Sequence, residues 1–539
     1  MTSRKTLLVG LMLAALTVGV CWRDAVWERA LRMDNRFYFY VAERAASGVP
    51  PHVSTPDVKN QLSALVDATA IRLGRLAGFG DVRSGRIGSV GILVAGVWGV
   101  GFSLLRLGVL PMAALFGSLS VLALSGLVGH AVVGFNPKLL LFSLLTWVPF
   151  LVAGGRFAAA GATATAAMMC WQPAVVACVA VAVAALTIEG RARHLGRCLA
   201  GGVATFVLYE LYFAWHGALG PQLFQSYILP LGSAHQEINW ARGVEFVFTG
   251  SGQGLDRIGL PAVAFAVFVV GAIVARLRSG SRVADRDRSL TPAVVAVAVG
   301  GSLACLFTAY EHQAEPDRFL LCAYFALAIG LVLDRVLRAS RHFFGARTTF
   351  RLEGVLFAAL VTLPFGKGVH NVADKDSLDT QLEAGRILAM YAEAYGSIWT
   401  FGGHHMLAAA HLTSFHPFDH QWDDLRRYAS DDEMLPIVHG KPPNLILALR
   451  RPPLPANFLS QYREVVVLPL NLENLRLWVR TDVRIAGPLA TAPLGDRKKK
   501  ALEKKGRGSR KQKVAPKKPR ETGRAARPVR ASPSRIEIE

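Results

Sequence analysis

The chain is 539 residues long, 52% hydrophobic and only 18% charged, with a mean hydropathy of +0.34. That balance is too apolar for an ordinary soluble protein of this length and places most of the chain in lipid. Its formal net charge of +22 would suit a nucleic-acid binder, but a polytopic membrane protein makes that use a poor fit.

Apolar segments of about 20 residues cross a bilayer core as helices, which satisfy their own backbone groups. Eleven such spans are expected: Thr6 to Trp22, Ile87 to Leu105, Gly108 to Val128, Leu139 to Val152, Phe157 to Met169, Pro173 to Leu186, Leu199 to Trp215, Ile258 to Ala275, Pro292 to Ala309, Phe319 to Leu333 and Leu352 to Phe365. The first follows Arg4 and Lys5, lacks a small-residue cleavage site and reads as an uncleaved anchor. Gln172-Pro173 splits one apolar run into a hairpin, because proline cannot continue the helical ladder.

Short cytoplasmic loops carry the excess of Lys and Arg. With the N-terminus inside, the cytoplasmic segments collect 17 basic residues, from Arg4 to Arg351, whereas the short exterior loops hold four, Lys138, Arg242, Arg257 and Arg318. The first exterior loop (23–86), the Glu311 turn and everything past Phe365 then face outward. All six cysteines, Cys21, Cys170, Cys178, Cys198, Cys305 and Cys322, fall in or beside helices, so no disulfide framework is implied.

The composition changes after Phe365. A transmembrane module (1–365) gives way to a small soluble α/β domain (366–486), with a helix near Leu382 to Tyr395 and strands near Asn444 to Leu449 and Val465 to Leu470. A basic tail (487–539) closes the chain, and residues 497–539 hold 17 Lys and Arg against four Glu, a net +13. Such a block is normally disordered and solvated. It is either passive or drawn to anionic headgroups or envelope polymers, at about 1 kcal/mol per basic residue near a surface.

The chemistry concentrates in the first exterior loop, read as a polar loop opening with Asp34-Asn35-Arg36-Phe37-Tyr38-Phe39-Tyr40. Asp34 is an ionisable carboxylate just outside the bilayer, at the mouth of a helical bundle. The series Asp34, Tyr38, Tyr40, Ala42, Gly48, Pro50, Lys59 and Arg86 resembles the first exterior loop of the GT-C glycosyltransferases, in the branch of protein O-mannosyltransferases and lipid A aminoarabinose transferases. Asn136-Pro137, Gln172-Pro173 and Gly201-Gly202 lie where that family carries comparable helix breaks, and Tyr462 to Arg480 is similar to the close of its exterior domain.

The resemblance implies an active site between the first exterior loop and the bundle, with a polyprenyl-phosphate-linked sugar as donor. On that reading Asp34 is the catalytic base for an acceptor hydroxyl. Lys59, Arg86 and Lys138 meet the charge of the lipid phosphate, and Tyr38, Tyr40 and Asp317 touch substrate. A single displacement inverts the sugar. Two departures stand out: Asn35 replaces a second acid beside the first, and Lys138 follows Pro137 where relatives carry an acid. Paired-carboxylate metal coordination is therefore not indicated, although a divalent metal is possible, and Lys138 is a candidate replacement cation.

Structural readings stand beside each of these roles. Asp34 is alternatively an interfacial charge, Lys59 a solvated lysine, Arg86 an anchor at a helix end, and the aromatic run interfacial packing. Asp317 is either an ion-pair partner of Arg318 or a substrate contact. His404, His405, His411, His416 and His420 crowd one stretch, but their spacing matches no zinc signature and no cysteine assists, so no metal site is assigned. No Gly-rich nucleotide cradle is present. The expected protein is an inverting glycosyltransferase of the bacterial cytoplasmic membrane, acting on an envelope lipid, glycan or protein. A polytopic transporter or flippase and a non-catalytic scaffold of envelope synthesis are the alternatives.

Overall fold

The computed structural model describes residues 3–483, apart from 25, 125, 233–239, 250–258, 279–290, 312–314, 367–377, 416–441, 449–453, 455 and 468–475. The basic tail, His416, His420, Arg257, Arg282, Arg286 and Arg288 lie outside the described residues. The chain to Thr481 forms one compact unit.

The bundle begins with α1 (Ser3–Arg23), α2 (Met33–Ala46), α3 (Leu62–Leu76), α4 (Asp81–Arg106), α5 (Pro111–Ala123), α6 (Leu127–Val133), α7 (Pro137–Ala153), α8 (Phe157–Met168), α9 (Val175–Leu186) and α10 (Arg191–Trp215). Short α11 (Leu219–Leu223), a π-helical turn (Phe224–Ile228) and α12 (Leu229–Gly232) lead to α13 (Trp240–Thr249), α14 (Leu260–Arg278), α15 (Thr291–Tyr310) and α16 (Phe319–Gly366). Among the described residues, α4, α10, α15 and the first half of α16 are long and apolar enough to cross a membrane, and α5 and α6, bent by 61° from one another, form either a broken span or a re-entrant loop. Shorter apolar helices, including α1, α7, α8, α9 and α14, complete the bundle.

Three expectations change. The stretch 23–86 is not a polar loop, because α2 and α3 fold from it as helices packed on the bundle. Leu352 to Phe365 is not a separate helix: it continues α16, because 334–351 holds no proline to break the helical ladder. Gly201-Gly202 does not break α10; a Cβ on Gly201 would sit 1.9 Å from the Ala158 oxygen, so its missing side chain lets α8 and α10 touch backbone to backbone. Small residues at such contacts are how helices associate in lipid.

The helix ends sort into two sets. At one end the Leu110 amide donates to Asp334 (2.8 Å), Arg338 donates to the Gly108 carbonyl (2.8 Å) and Arg106 lies against the Phe150 ring. At the other end Asn35 donates to the Gly134 carbonyl, Lys138 pairs with Asp317, and Gln172 donates to the Val58 carbonyl (2.7 Å). The second set unites the loops that the basic-residue bias groups on one side.

The small domain joins that second end. After α17 (Leu378–Tyr395) come β1 (Ile398–Phe401), α18 (His404–Ala409), β2 (Leu445–Ala448), α19 (Ala456–Leu459), β3 (Tyr462–Val467) and β4 (Arg476–Arg480). The sheet order is β1-β2-β4-β3, with β1 and β2 parallel, the other pairs antiparallel, and a bulge between Glu464 and Val466. β4 alternates half-buried Arg476, Trp478 and Arg480 with buried Leu477 and Val479, as a strand with one covered face must. Trp399, Phe401, Ile446, Ala448, Phe458 and Tyr462 form its core. The domain seats on α2 and the segment before it: the Ser414 amide donates to the Tyr40 hydroxyl of α2 (3.0 Å), the Leu378 amide donates to the Glu28 carbonyl (3.2 Å), and Gln381 brackets Leu31, accepting from its amide (2.8 Å) and donating to its carbonyl (2.9 Å).

Candidate active site

Asp34 is the second residue of α2, an acid in the first turn of a helix, where the helix dipole favours negative charge. It is exposed, and it makes no hydrogen bond or ion pair among the described residues. The next residue holds it in place: Asn35 is buried and donates to the Gly134 carbonyl, pinning the start of α2 to the turn before α7.

Tyr38 lies one turn on, on the same face as Asp34. It is 3% exposed, and its hydroxyl accepts from Lys59 Nζ at 2.9 Å. Burial, with the negative charges of Asp57 and Asp34, holds the phenol well above its ordinary range. Tyr38 thus stays a neutral phenol holding the Lys59 ammonium.

Asp57 was missed by the sequence reading. It is buried, accepts from the Lys59 amide (3.2 Å) and from the Gln61 side chain, and burial pushes its carboxyl up to about 6, against the opposing pull of Lys59. The only sequence signal was an acid two residues before the lysine; its partners Gln61 and Gln225 are unremarkable in the sequence.

The segment carrying Lys59 is fastened at several points. The Gln225 side chain accepts from the Asp57 amide (3.2 Å) and donates to the His52 carbonyl (3.1 Å). Gln172 donates to the carbonyls of Val58 (2.7 Å) and Ser226 (2.8 Å), and the Asn60 side chain donates to the Met168 carbonyl (3.0 Å). Burial drives the His52 imidazole down to about 4, so it stays neutral here. Lys59 is therefore mounted on a rigid loop rather than a free one.

A second cation approaches from α7. Asn136 caps that helix, accepting from the Lys138 amide at 2.9 Å, with Pro137 at its first position, so the Asn-Pro-Lys sequence starts a helix and sets where Lys138 begins. Lys138 is buried, pairs with Asp317 and stands 3.9 Å from the centre of the Trp171 ring. Arg318 donates to the Val247 carbonyl (3.0 Å). The Asp34 charge acts on both Tyr38 and Lys138, which groups Asp34, Tyr38, Lys59, Asp57, Lys138 and Asp317 as one electrostatic cluster.

Two expected residues do not join it. Tyr40 lies six positions after Asp34, about 240° round the helix, and is fully buried; its hydroxyl accepts from the Ser414 amide (3.0 Å) and its ring meets His404. It docks the small domain rather than substrate. Arg86 is 0% exposed and donates to the carbonyls of Val133 (3.2 Å), Val26 (2.8 Å) and Arg29. With three of its five N–H groups on backbone carbonyls and its side chain buried, it clasps the start of α4.

No family model matches the chain, and no curated protein matches its sequence. Its likeness is to solved structures. ArnT from Cupriavidus metallidurans in the apo state aligns with a TM-score of 0.58 at 13% identity, over 87% of this chain and 97% of that one. The same protein bound to undecaprenyl phosphate aligns with a TM-score of 0.54 at 12% identity, over 89% and 99%. The Archaeoglobus fulgidus oligosaccharyltransferase, in complex with zinc and sulfate, aligns with a TM-score of 0.54 at 12% identity, over 82% and 67%. Together with the helix order and the sheet domain seated on α2, these matches show that the chain shares the fold of these structures.

Proposed function

We propose that this protein is an integral-membrane, inverting glycosyltransferase that moves a sugar from a polyprenyl-phosphate-linked donor to a lipid, glycan or protein acceptor on the exterior face of the bacterial cytoplasmic membrane. The observation that carries the reading is an exposed carboxylate, Asp34, mounted on a helix N-terminus one turn from a tyrosine-held ammonium, Tyr38–Lys59. The likeness to ArnT in complex with undecaprenyl phosphate supports a polyprenyl-phosphate carrier.

The chemistry follows from these groups. The Asp34 carboxylate takes the proton of the acceptor hydroxyl as its oxygen attacks the anomeric carbon. The bond from that carbon to the phosphate oxygen breaks on the opposite side, and the electron pair leaves with the lipid phosphate. Lys59 meets the departing charge, and Lys138 adds a second positive charge within the same cluster. Asp57 and Tyr38 orient Lys59, and Asp317 holds Lys138 against Trp171.

Mass spectrometry of envelope glycolipids and glycoproteins from cells with and without the gene tests this. The proposal expects one species to lose a single sugar mass while the lipid-linked donor accumulates. Identical profiles would remove the enzyme reading in favour of a scaffold.

A further inference from the structure

At the far end of α2, some nine residues and about 13 Å along the helix from Asp34, a second group of ionisable side chains meets. Glu43 from α2, Asp81 from the start of α4 and His411 from the loop after α18 each place a potential ligand atom within 4.8 Å of the others. His411 Nδ1 is 3.2 Å from Glu43 Oε1 and 4.0 Å from Asp81 Oδ2. Ligands at about 2.1 Å around a tetrahedral metal lie about 3.4 Å apart, so the first separation already fits and the second needs a shift of well under 1 Å.

A separate observation indicates that the group is incomplete as it stands. Glu43 is 0% exposed, yet its Oε2 is buried with no hydrogen-bond partner among the described residues. A buried, unanswered carboxylate oxygen is costly, and a bound ion or an ordered water removes the cost. Oε1 is shared among Ser47 (2.9 Å), Arg75 (3.1 Å) and His411. Arg75 is the resident cation: it also holds Asp81 through Nε (2.9 Å) and a terminal nitrogen (2.7 Å), but a third of its side chain is exposed and can swing outward. Beside it opens a 620 Å³ cavity lined by Arg75, Asp81 and His411, which gives an ion a way in and a water a place to complete its shell.

We infer that Glu43, Asp81 and His411 form a site for a zinc-class divalent cation that exchanges with the Arg75 guanidinium and latches the small domain to the first exterior segment. Two carboxylates and an imidazole suit zinc and its neighbours better than magnesium or calcium, which prefer all-oxygen shells. The site spans three parts of the chain: α2, the start of α4 and the small domain. Its occupancy therefore tightens the seat on α2 without touching the Asp34 cluster. The inference does not depend on the transferase reading.

The test is zinc chloride titrated into the full-length, chelator-stripped protein in detergent, read by calorimetry and by thermal unfolding. One zinc binds per chain, and the unfolding midpoint rises by a few degrees once zinc is in large excess over its dissociation constant. His411→Asn, which keeps a residue tolerant of the left-handed backbone at φ 54°, and Glu43→Gln each weaken binding on the order of tenfold or more. Arg75→Ala, which removes the competitor, tightens it. The inference is overturned if the wild type shows no saturable site, if His411→Asn binds zinc like the wild type, or if Arg75→Ala weakens binding.

Discussion

The Lys59 ammonium is positioned from two directions: its Nζ donates to Tyr38 (2.9 Å), and its own amide is held by Asp57 (3.2 Å). A charge-assisted hydrogen bond to phosphate is worth about 1.5–3 kcal/mol. Lys59→Met is accordingly expected to lower kcat/KM for the lipid-linked donor by about tenfold to a hundredfold, with Lys59→Arg recovering part of it; unchanged donor kinetics in the Met variant would remove Lys59 from the phosphate site. The sequence sets Asp34, Tyr38 and Lys59 in a single segment as acid, aromatic and lysine, and the fold brings the last two into contact. Asp57 was not, since its environment comes from Gln61 and Gln225, far apart in the chain. Tyr40 was misread for a geometric reason: once α2 is a helix rather than a loop, six positions carry it away from the Asp34 face.

Among the elements, α4 shows how a charge can belong to the fold rather than to the chemistry. Arg86 enters it one turn in and ties Val26, Arg29 and Val133, joining the segment before α2, the start of α4 and the end of α6. Arg86→Met leaves three carbonyls without donors and is expected to cost about 3 kcal/mol or more. Thermal unfolding in detergent would read that loss, while the donor KM of the protein that still folds stays near wild type, the reverse of the Lys59 variant. The apolar runs pointed to helices of the bundle but not to α2 and α3, and Gln172-Pro173 does separate α8 from α9 through a short 3-10 turn. What hydropathy could not give was the continuity of α16 or the packing role of Gly201, because both depend on which residues lie alongside.

For the molecule as a whole, the decisive feature is that the small domain seats on the helix that carries Asp34. His404 and His405 are buried in that seat, His404 between the Phe37 and Tyr40 rings and His405 with no hydrogen-bond partner for either ring nitrogen among the described residues. Burial lowers His404 to about 3 and His405 well below its usual value. The unfolded segment, with ordinary imidazoles near 6.5, binds more protons than the seated one, so seating is stable above that pH and weakens as pH falls below it. Hydrogen exchange should show α18 and α2 losing protection below about pH 6 while α4 and α7 keep theirs; a double His404→Leu, His405→Leu variant should flatten that dependence. The sequence disclosed the histidine cluster but not its place against α2, which only the fold supplies.

The most direct test of the account is Asp34→Asn, supplied at wild-type membrane levels to cells lacking the gene, with the envelope glycan quantified. The account predicts that sugar transfer falls on the order of a hundredfold or more, as expected for loss of a catalytic base, with the protein still folded and its thermal midpoint near wild type. Transfer at the wild-type rate in that variant would contradict it.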